Sequence, residues 1–213
     1  MMTRPESGSA VSEQPAGKFA DTLPSVHELI RNRWSPRSFS PREVSNEDLK
    51  TILEAARWAA SSFNEQPWRF LVARKSDPPA YEKLLGLLVP GNQAWAKTAP
   101  VLMLIVTKRA FSHSGSPNLY AVHDAGQALA NLFLQATALG LHAHGMAGFD
   151  REKARKELSI PDDYDFGAAV ALGYLGSPDE LPEKYRQGEL ARRTRKPLNE
   201  IVFGVNWNQP LQL

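Results

Sequence analysis

Apolar residues at helical spacing precede an unusually polar segment in the first third of the chain. The stretch SNEDLKTILEAARWAAS carries Leu49, Ile52, Leu53 and Ala56 at positions i, i+3, i+4 and i+7, the pattern of an amphipathic helix. Ser45, which precedes this pattern, is the predicted N-cap. The helix therefore leads directly to the polar stretch SSFNEQPWRF, residues 61–70, where a short glycine-rich turn would have been sufficient.

Four stretches elsewhere in the chain are predicted to be strands, and the apolar run AAVALGYLG is typical of a buried one. The predicted strands are WRFLVARK at 68–75, VLMLIVTK at 101–108, LHAHGM at 141–146 and AAVALGYLG at 168–176. Helices are predicted for SVHELIRNRW, which Pro36 ends, for residues 79–89 and for DREKARKELS. Because strands and helices are interleaved without a regular βαβ rhythm, the sequence predicts one α+β domain.

The segment HDAGQALANLFLQATALGL, residues 123–141, is apolar on almost every side. A helix of this kind must be covered all round, either by its own domain or by a partner. Its small residues Gly126 and Ala130 would permit another helix to approach closely. The pattern therefore leaves open whether the cover comes from the same chain or from a second one.

Composition narrows the classes of function. Of the 213 residues, 42% are apolar, and 25 Lys and Arg nearly balance 23 Asp and Glu, so strong binding to nucleic acid is not expected. The absence of cysteine excludes disulfides, thiolate metal sites and cysteine nucleophiles, and it fits a cytoplasmic location. Neither a signal peptide nor a membrane span is predicted. Residues 1–22 are predicted to be a flexible tail that precedes a single domain at 23–213.

Two groups of arginines are candidates for a phosphate site. Arg33, Ser35 and Arg37 offer two guanidinium groups and a hydroxyl within five residues, which suits a phosphate monoester. The second group lies at 192–196, and one phosphate can contact both groups only if the fold brings them together. Each group taken alone is also typical of a solvated surface.

The polar stretch supplies a candidate contact to the ring of a heterocyclic ligand. Asn64 carries both donors and an acceptor, so it suits a heterocycle edge that presents N–H beside C=O. For an isolated asparagine in a loop, turn formation is the alternative role. The stretch therefore predicts either a ligand contact or a constrained turn.

Three histidines are candidate metal ligands or catalytic groups. His142 and His144 alternate on one face of a predicted strand, but no clear third ligand accompanies them, so a structural role and no metal site are predicted. His123 and Asp124 open the long helix. Because no nucleophile elbow is present, they are predicted to form a cap and an interface contact rather than part of a catalytic triad.

Six ordered motifs resemble the FMN-dependent nitroreductase family. They are RWSPRSF at 33–39, SSFNEQPWRF at 61–70, APVL at 99–102, HDAG at 123–126, GFD at 148–150 and RTRKPL at 193–198. The resemblance covers about residues 26–205, and SSxNxQPW is its most specific part. It implies a nitroreductase-type fold with a mainly antiparallel central sheet surrounded by helices. It also implies an intertwined homodimer in which a C-terminal extension embraces the partner subunit.

The resemblance implies which residues bind FMN, by matching them to the family's cofactor contacts. Residues 61–64 would reach across the interface to the flavin held mainly by the partner chain, which accounts for their polarity. Trp34 departs from the family, where Arg or His is common, and Ala147 stands where several members have Glu. The matching positions are Arg33, Trp34, Ser35, Arg37, Ser61, Ser62, Asn64, Asn92, Met146, Ala147, Gly148, Arg193 and Arg195.

The implied activity is oxidoreduction by a ping-pong cycle, in which FMN takes hydride from NADH or NADPH and reduces a nitroaromatic, quinone or related small acceptor. No side chain is expected to act as a catalytic acid, base or nucleophile. One alternative is a flavoprotein of the same fold with other chemistry, such as flavin fragmentation, dehalogenation or oxidation. Such relatives usually add a lid or substrate-specific segment, and this chain has little room for one except at residues 109–120. The other alternative is a flavin-binding sensor without turnover.

Overall fold

The structure is a computed structural model that describes residues 18–212. Most of the predicted tail, residues 1–17, lies outside the described residues, as does residue 213. The tail's Lys18 is buried, and its Nζ donates to the carbonyl oxygen of Ala191 at 2.7 Å. The packed part of the chain therefore begins before the predicted boundary at residue 23.

Helices and strands are mixed along the described chain. The helices are α1 (Glu28–Asn32), α2 (Asn46–Arg57), α3 (Pro78–Leu85), α4 (Pro90–Ala96), α5 (Ala121–Ala138), α6 (Arg151–Glu157) and α7 (Glu183–Leu190). The strands are β1 (Trp68–Arg74), β2 (Val101–Lys108), β3 (His142–Met146) and β4 (Tyr164–Gly173). Short 3-10 turns cover Ser62–Asn64, Pro178–Glu180 and Leu198–Glu200.

The four strands form one sheet in the order β1-β2-β4-β3, and each neighbouring pair is antiparallel. Strand β2 is central, and every one of its residues except Lys108 is buried. Its Leu104 lies opposite Leu71 of β1 and Ala169 of β4. Strands β1 and β3 are consequently the two edges of the sheet.

Alternation along the central strands divides the core into two layers, because successive side chains point to opposite faces. On one face, Leu102 and Leu104 of β2 pack with buried residues of α3, α4 and α6. On the other face, Met103 and Ile105 pack with buried residues of α2 and α5. The sheet therefore lies between two helical layers, in agreement with the predicted antiparallel sheet surrounded by helices.

Local sequence signals explain where the helices begin and end. The Ser45 hydroxyl accepts from the Asp48 N–H at 2.9 Å and caps α2. Gly140, with φ of 73°, follows α5 in the left-handed conformation that glycine adopts at low cost. The helix predicted at 79–89 is wrong in extent, because α3 ends at Leu85 and Pro90 opens a separate helix, α4.

Among the helices within residues 18–212, none has the length and apolar character needed to cross a membrane.

Candidate functional site

Residues 33–37 lie along the edge strand β3. Arg33 is the C-cap of α1, and its N–H donates to the carbonyl oxygen of Leu29 at 3.0 Å. Two contacts attach this segment to β3. His144 Nδ1 donates to the Pro36 carbonyl oxygen at 2.8 Å, and the rings of Trp34 and His142 lie edge to face with centroids 6.0 Å apart.

Three arginines from distant parts of the sequence meet beside this segment. Arg33 Nη1 donates to the Ser35 hydroxyl at 3.3 Å, and Arg193 Nη1 donates to the carbonyl oxygens of Lys18 and Arg31, each at 2.8 Å. Burial lowers the pKa of Arg33, and the charge of Arg195 lowers it further. Burial likewise lowers the pKa of Arg193, with added repulsion from Arg33 and Arg195. These side chains, called the arginine cluster below (Arg33, Arg193 and Arg195), therefore repel one another.

The charge of the arginine cluster has no compensating carboxylate in the part of the chain that the structure describes. Within residues 18–212, no carboxylate forms a salt bridge with any of its three members. The neighbouring Arg192 is different, because it pairs with Asp21 at 2.8 Å. Like charges held together without a counter-charge favour an anionic ligand.

Arg37 lies beyond the cluster, further along the same segment. Its guanidinium carbon is 6.0 Å from the ring centroids of both Trp95 and Tyr185. Its backbone N–H donates to the carboxylate of Glu189, with oxygens at 2.9 and 3.0 Å. The backbone at Arg37 is thus fixed, while its charged group lies over two aromatic rings.

Strand β3 leads from the arginine segment to a second group of predicted site residues. Met146, the last residue of β3, is buried, and Ala147 and Gly148 follow it. Asn92 Nδ2 donates to the Gly148 carbonyl oxygen at 3.0 Å. A Cβ on Gly148 would lie 2.8 Å from that nitrogen, so this contact requires glycine. His142, beside Trp34, is five residues before Ala147, which corresponds to about 16 Å of extended chain.

The polar turn at 61–66 has a strained backbone. Phe63, Asn64 and Gln66 have φ values of 51°, 55° and 50°, in the left-handed region that non-glycine residues rarely adopt. Two hydrogen bonds hold the turn: Gln66 N–H donates to the Ser61 hydroxyl at 3.0 Å, and Ser62 N–H donates to an Asp124 carboxylate oxygen at 2.9 Å. Such strain is typical of functional loops, and here neighbouring groups compensate for it.

Within one chain, the polar turn and the arginine cluster lie at opposite edges of the sheet. The turn leads into β1, whereas residues 33–37 flank β3, and the order β1-β2-β4-β3 separates these edges by three strand spacings. At about 4.8 Å per spacing, the separation is about 14 Å. The structure therefore brings the arginine segments together but does not bring residues 61–64 to them in the same chain.

The loop at 109–120 packs against the polar turn. Glu65 accepts from the hydroxyl and the backbone N–H of Ser112, at 2.6 and 2.9 Å, and these bonds lower the pKa of its carboxyl. Phe63 is 81% exposed and lies 5.6 Å from Phe111 and 5.5 Å from His113, between ring centroids. Phe63, Phe111 and His113 thus form a cluster of aromatic rings at the turn.

The two strand histidines are held in their neutral form. Burial lowers the pKa of His142 to about 4, and the charge of Arg33 adds to the effect. Burial also lowers the pKa of His144 to about 4 against the opposing hydrogen bond to Pro36, and Arg37 lowers it further. His144 also packs on Trp95 with ring centroids 4.6 Å apart. Both rings therefore serve as neutral packing groups between β3 and the arginine segment.

Three further residues support the site, although sequence reasoning did not assign them to it. Lys18 falls in the predicted tail, and nothing in its neighbourhood marks it. Asp124 was predicted to form a cap and an interface contact. The cap is wrong, because Tyr120 is the N-cap of α5 and the Asp124 carboxylate holds the polar turn, while the interface contact stays a prediction. Glu189 lies three residues before the arginine-rich run 192–196, but nothing in the sequence marks its carboxylate as buried.

The fold and the site define an α+β protein with an arginine cluster beside an edge strand, a cluster that no carboxylate among the described residues neutralises. The sequence profile of the Nitroreductase family matches residues 30–174 of this chain. The match covers more than half of the 213 residues, and the chain belongs to the nitroreductase family. The predicted resemblance and the nitroreductase-type α+β fold are confirmed.

Similar proteins include oxidoreductases solved with flavin. An oxidoreductase containing FMN is 37% identical, with a TM-score of 0.83 over 92% of this chain and 100% of its own. A protein from Desulfovibrio desulfuricans, provisionally named a nitroreductase and solved in complex with FMN, is 28% identical, with a TM-score of 0.69 over 87% and 99% of the two chains. A protein of Archaeoglobus fulgidus, provisionally named NADH dehydrogenase/NAD(P)H nitroreductase, is 33% identical over 69% of this chain and 83% of its own.

Proposed function

We propose that this protein is an FMN-dependent oxidoreductase that uses NADH or NADPH to reduce nitroaromatic, quinone or related small acceptors. The observation that carries the proposal is the arginine cluster. Three guanidinium groups repel one another without a carboxylate partner in residues 18–212, so the site is built for a ligand anion. The FMN found in two of the similar structures supplies such an anion in its terminal phosphate.

The remaining residues fit the other parts of FMN. Arg33, Ser35, Arg37, Arg193 and Arg195 would hold the phosphate, with Trp34 contributing through its backbone because its side chain is buried. Asn92 and the backbone at Met146, Ala147 and Gly148 would face the flavin ring at the far end of β3. The sequence contains no G-x-G-x-x-G motif for a dinucleotide pyrophosphate, which favours FMN over FAD.

When bound, FMN supplies the redox chemistry, taking a hydride from the nicotinamide and passing electrons to the acceptor in a ping-pong cycle. The chain's own residues bind and orient the cofactor. Guanidinium and backbone N–H groups also provide positive potential, which stabilises negative charge that develops on a bound group. We assign no catalytic acid, base or nucleophile to a side chain.

We further propose that the working unit is an intertwined homodimer with a shared site. Residues 61–64 lie at the opposite sheet edge from the arginine cluster of their own chain, so they would complete the site of the partner. The C-terminal extension, which comprises the residues after Pro197, supports this arrangement. Its hydrogen bonds, such as Leu211 N–H to the Val202 carbonyl oxygen, stay within the segment, and its Trp207 is 86% exposed. A partner subunit would cover these apolar groups.

We propose that the chain forms a single FMN-binding domain at 23–213 after a flexible tail. Lys18, from the predicted tail, packs on that domain. The cytoplasmic location stays a prediction from the sequence. A second function, flavin binding without turnover, uses the same site. Other flavin chemistry, such as dehalogenation, flavin fragmentation or oxidation, also remains as an alternative within the same fold.

Two measurements test the proposal. Heat denaturation of the purified protein should release FMN, identified by chromatography, and FAD or no flavin after reconstitution would contradict the cofactor assignment. Stopped-flow mixing with NADH and with NADPH should bleach the flavin absorbance, and a quinone or nitroaromatic should restore it. A flavin that stays oxidised with both nicotinamides would favour the sensor.

A further inference from the structure

Glu189 is a buried carboxylate in the last turn of α7, and its side chain is among the least exposed in the described chain. It is 2% exposed. One oxygen accepts from the backbone N–H groups of Arg37 and Ser38, at 2.9 and 3.0 Å. The other oxygen also accepts from Arg37 N–H, at 3.0 Å. A buried carboxylate with three charge-assisted contacts to one segment fixes that segment firmly.

These contacts join the two parts of the chain that supply the arginines. Glu189 is 152 residues from Arg37 in the sequence, and Arg193 and Arg195 follow Glu189 by four and six residues. Lys18 strengthens the junction, because its Nζ donates to the carbonyl oxygens of Gly188 and Ala191 at 3.3 and 2.7 Å. The end of α7 is therefore held against both the N-terminal segment and the segment 33–37.

We propose that Glu189 is a positioning residue for the anion site, holding the backbone at 37–38 against α7 so that the arginines of both segments face one phosphate. The inference rests on the proposed FMN function and identifies which group of this chain organises the phosphate end of the site. Glu189 acts through Arg37 and Ser38, and no contact between its carboxylate and the ligand is required.

The electrostatic alternative predicts the opposite result. A negative charge near a phosphate site repels the phosphate, so removing that charge should strengthen binding if Glu189 acts only as a nearby charge. If Glu189 positions the segment, its replacement by glutamine should weaken binding. In glutamine, an amide NH2 takes the place of one carboxylate oxygen and faces the Arg37 N–H as a second donor.

The test is flavin titration of the flavin-free full-length protein, with Glu189→Gln compared with wild type for FMN and for riboflavin, which lacks the phosphate. We expect the Kd for FMN to rise about tenfold or more, the usual effect of disturbing hydrogen bonds to a charged group. The Kd for riboflavin should change less than about twofold, because the phosphate end contributes nothing to its binding. A purely structural defect would weaken both ligands equally.

Two further variants sharpen the result. Glu183→Gln, on the same helix with an exposed side chain, should leave both Kd values unchanged. Glu189→Asp keeps the charge but shortens the side chain, so this variant should also bind FMN more weakly than wild type. It replaces Glu189→Gln in the titration if the glutamine variant does not fold. Unchanged or tighter FMN binding by the folded Glu189 variants, or equal weakening of FMN and riboflavin, would overturn the positioning role. A wild-type protein that binds no FMN would instead reject the proposed function, together with this inference.

Discussion

The backbone N–H of Ser62 donates to a carboxylate oxygen of Asp124 at 2.9 Å, and Asp124 is 2% exposed. The other carboxylate oxygen lies 3.1 Å from His123 Nδ1. This bond connects the first turn of α5 to the strained polar turn before β1. A helix that opens with a buried carboxylate thus stabilises a loop of unfavourable backbone conformation.

Replacing Asp124 with asparagine should destabilise the folded protein. An amide loses the charge that strengthens the bond to Ser62 N–H, so we expect the free energy of unfolding to fall by about 1–3 kcal/mol. Urea denaturation of the flavin-free protein measures this value. Asp162→Asn, whose parent side chain is 98% exposed, is the control and should change it by less than about 0.5 kcal/mol. Equal effects of the two variants would show that the turn does not depend on Asp124.

Removing one member of the arginine cluster should weaken FMN binding without weakening the fold. Arg33→Ala and Arg195→Ala should each cost about 1.5–3 kcal/mol of FMN binding free energy. The flavin-free protein should keep its stability, because each change relieves repulsion among the cluster. Fluorescence titration and urea denaturation give the two values. The control is Arg192→Ala, because Arg192 lies next to the cluster but pairs with Asp21. Unchanged FMN affinity in both cluster variants would mean that the arginines are surface groups.

Acid should destabilise the protein through its buried neutral histidines. Above about pH 6.5, His142 is neutral in both the folded and unfolded states. As the pH falls from there to its folded pKa of about 4, the unfolded state takes up a proton that the folded state does not. The free energy of unfolding should therefore decrease across this window, by on the order of 3 kcal/mol for His142. His144 should contribute in the same direction.

The His142→Phe variant isolates this effect, because Phe keeps an aromatic ring beside Trp34 and cannot titrate. Urea denaturation at several pH values between about 7 and 4 should show a shallower pH dependence than in wild type. His27→Asn is the control, since His27 is exposed and asparagine preserves its N-cap role. An acid limb that is identical in wild type and His142→Phe would contradict the assignment.

A charge on the exposed face of α5 should prevent dimerisation. Val122, Gly126 and Ala130 are exposed along this helix, and the space beyond Gly126 is open. Ala130→Glu should fold as a monomer and bind FMN more weakly, because the partner's residues 61–64 would be missing. Sedimentation equilibrium with and without FMN measures both effects. Gln187→Glu on the exposed side of α7 is the control. A wild-type monomer that binds FMN with the affinity of the concentrated protein would refute the shared site.

Local patterns in the sequence were enough to predict most of the elements and the family. Apolar runs predicted β2 and the second half of β4, because burial of both faces of an inner strand requires uninterrupted apolar residues, whereas the edge strands β1 and β3 were predicted although they carry polar residues. The spacing of Leu49, Ile52 and Ala56 predicted α2, because helical periodicity depends only on near neighbours. The prediction failed at 79–89, where Gly86 and Pro90 divide the segment into α3 and α4.

Long-range pairing was decided only by the tertiary structure. The strand order β1-β2-β4-β3 depends on contacts between residues far apart in the chain, and no local period encodes it. It is this order that places residues 61–64 at the edge opposite the arginine cluster. Lys18 and Glu189 read as ordinary charged residues in the sequence, and only the packing of α7 against 37–38 makes them buried partners. The sequence thus determined which elements form and which chemical groups they carry, whereas the folded chain determined which of those groups meet.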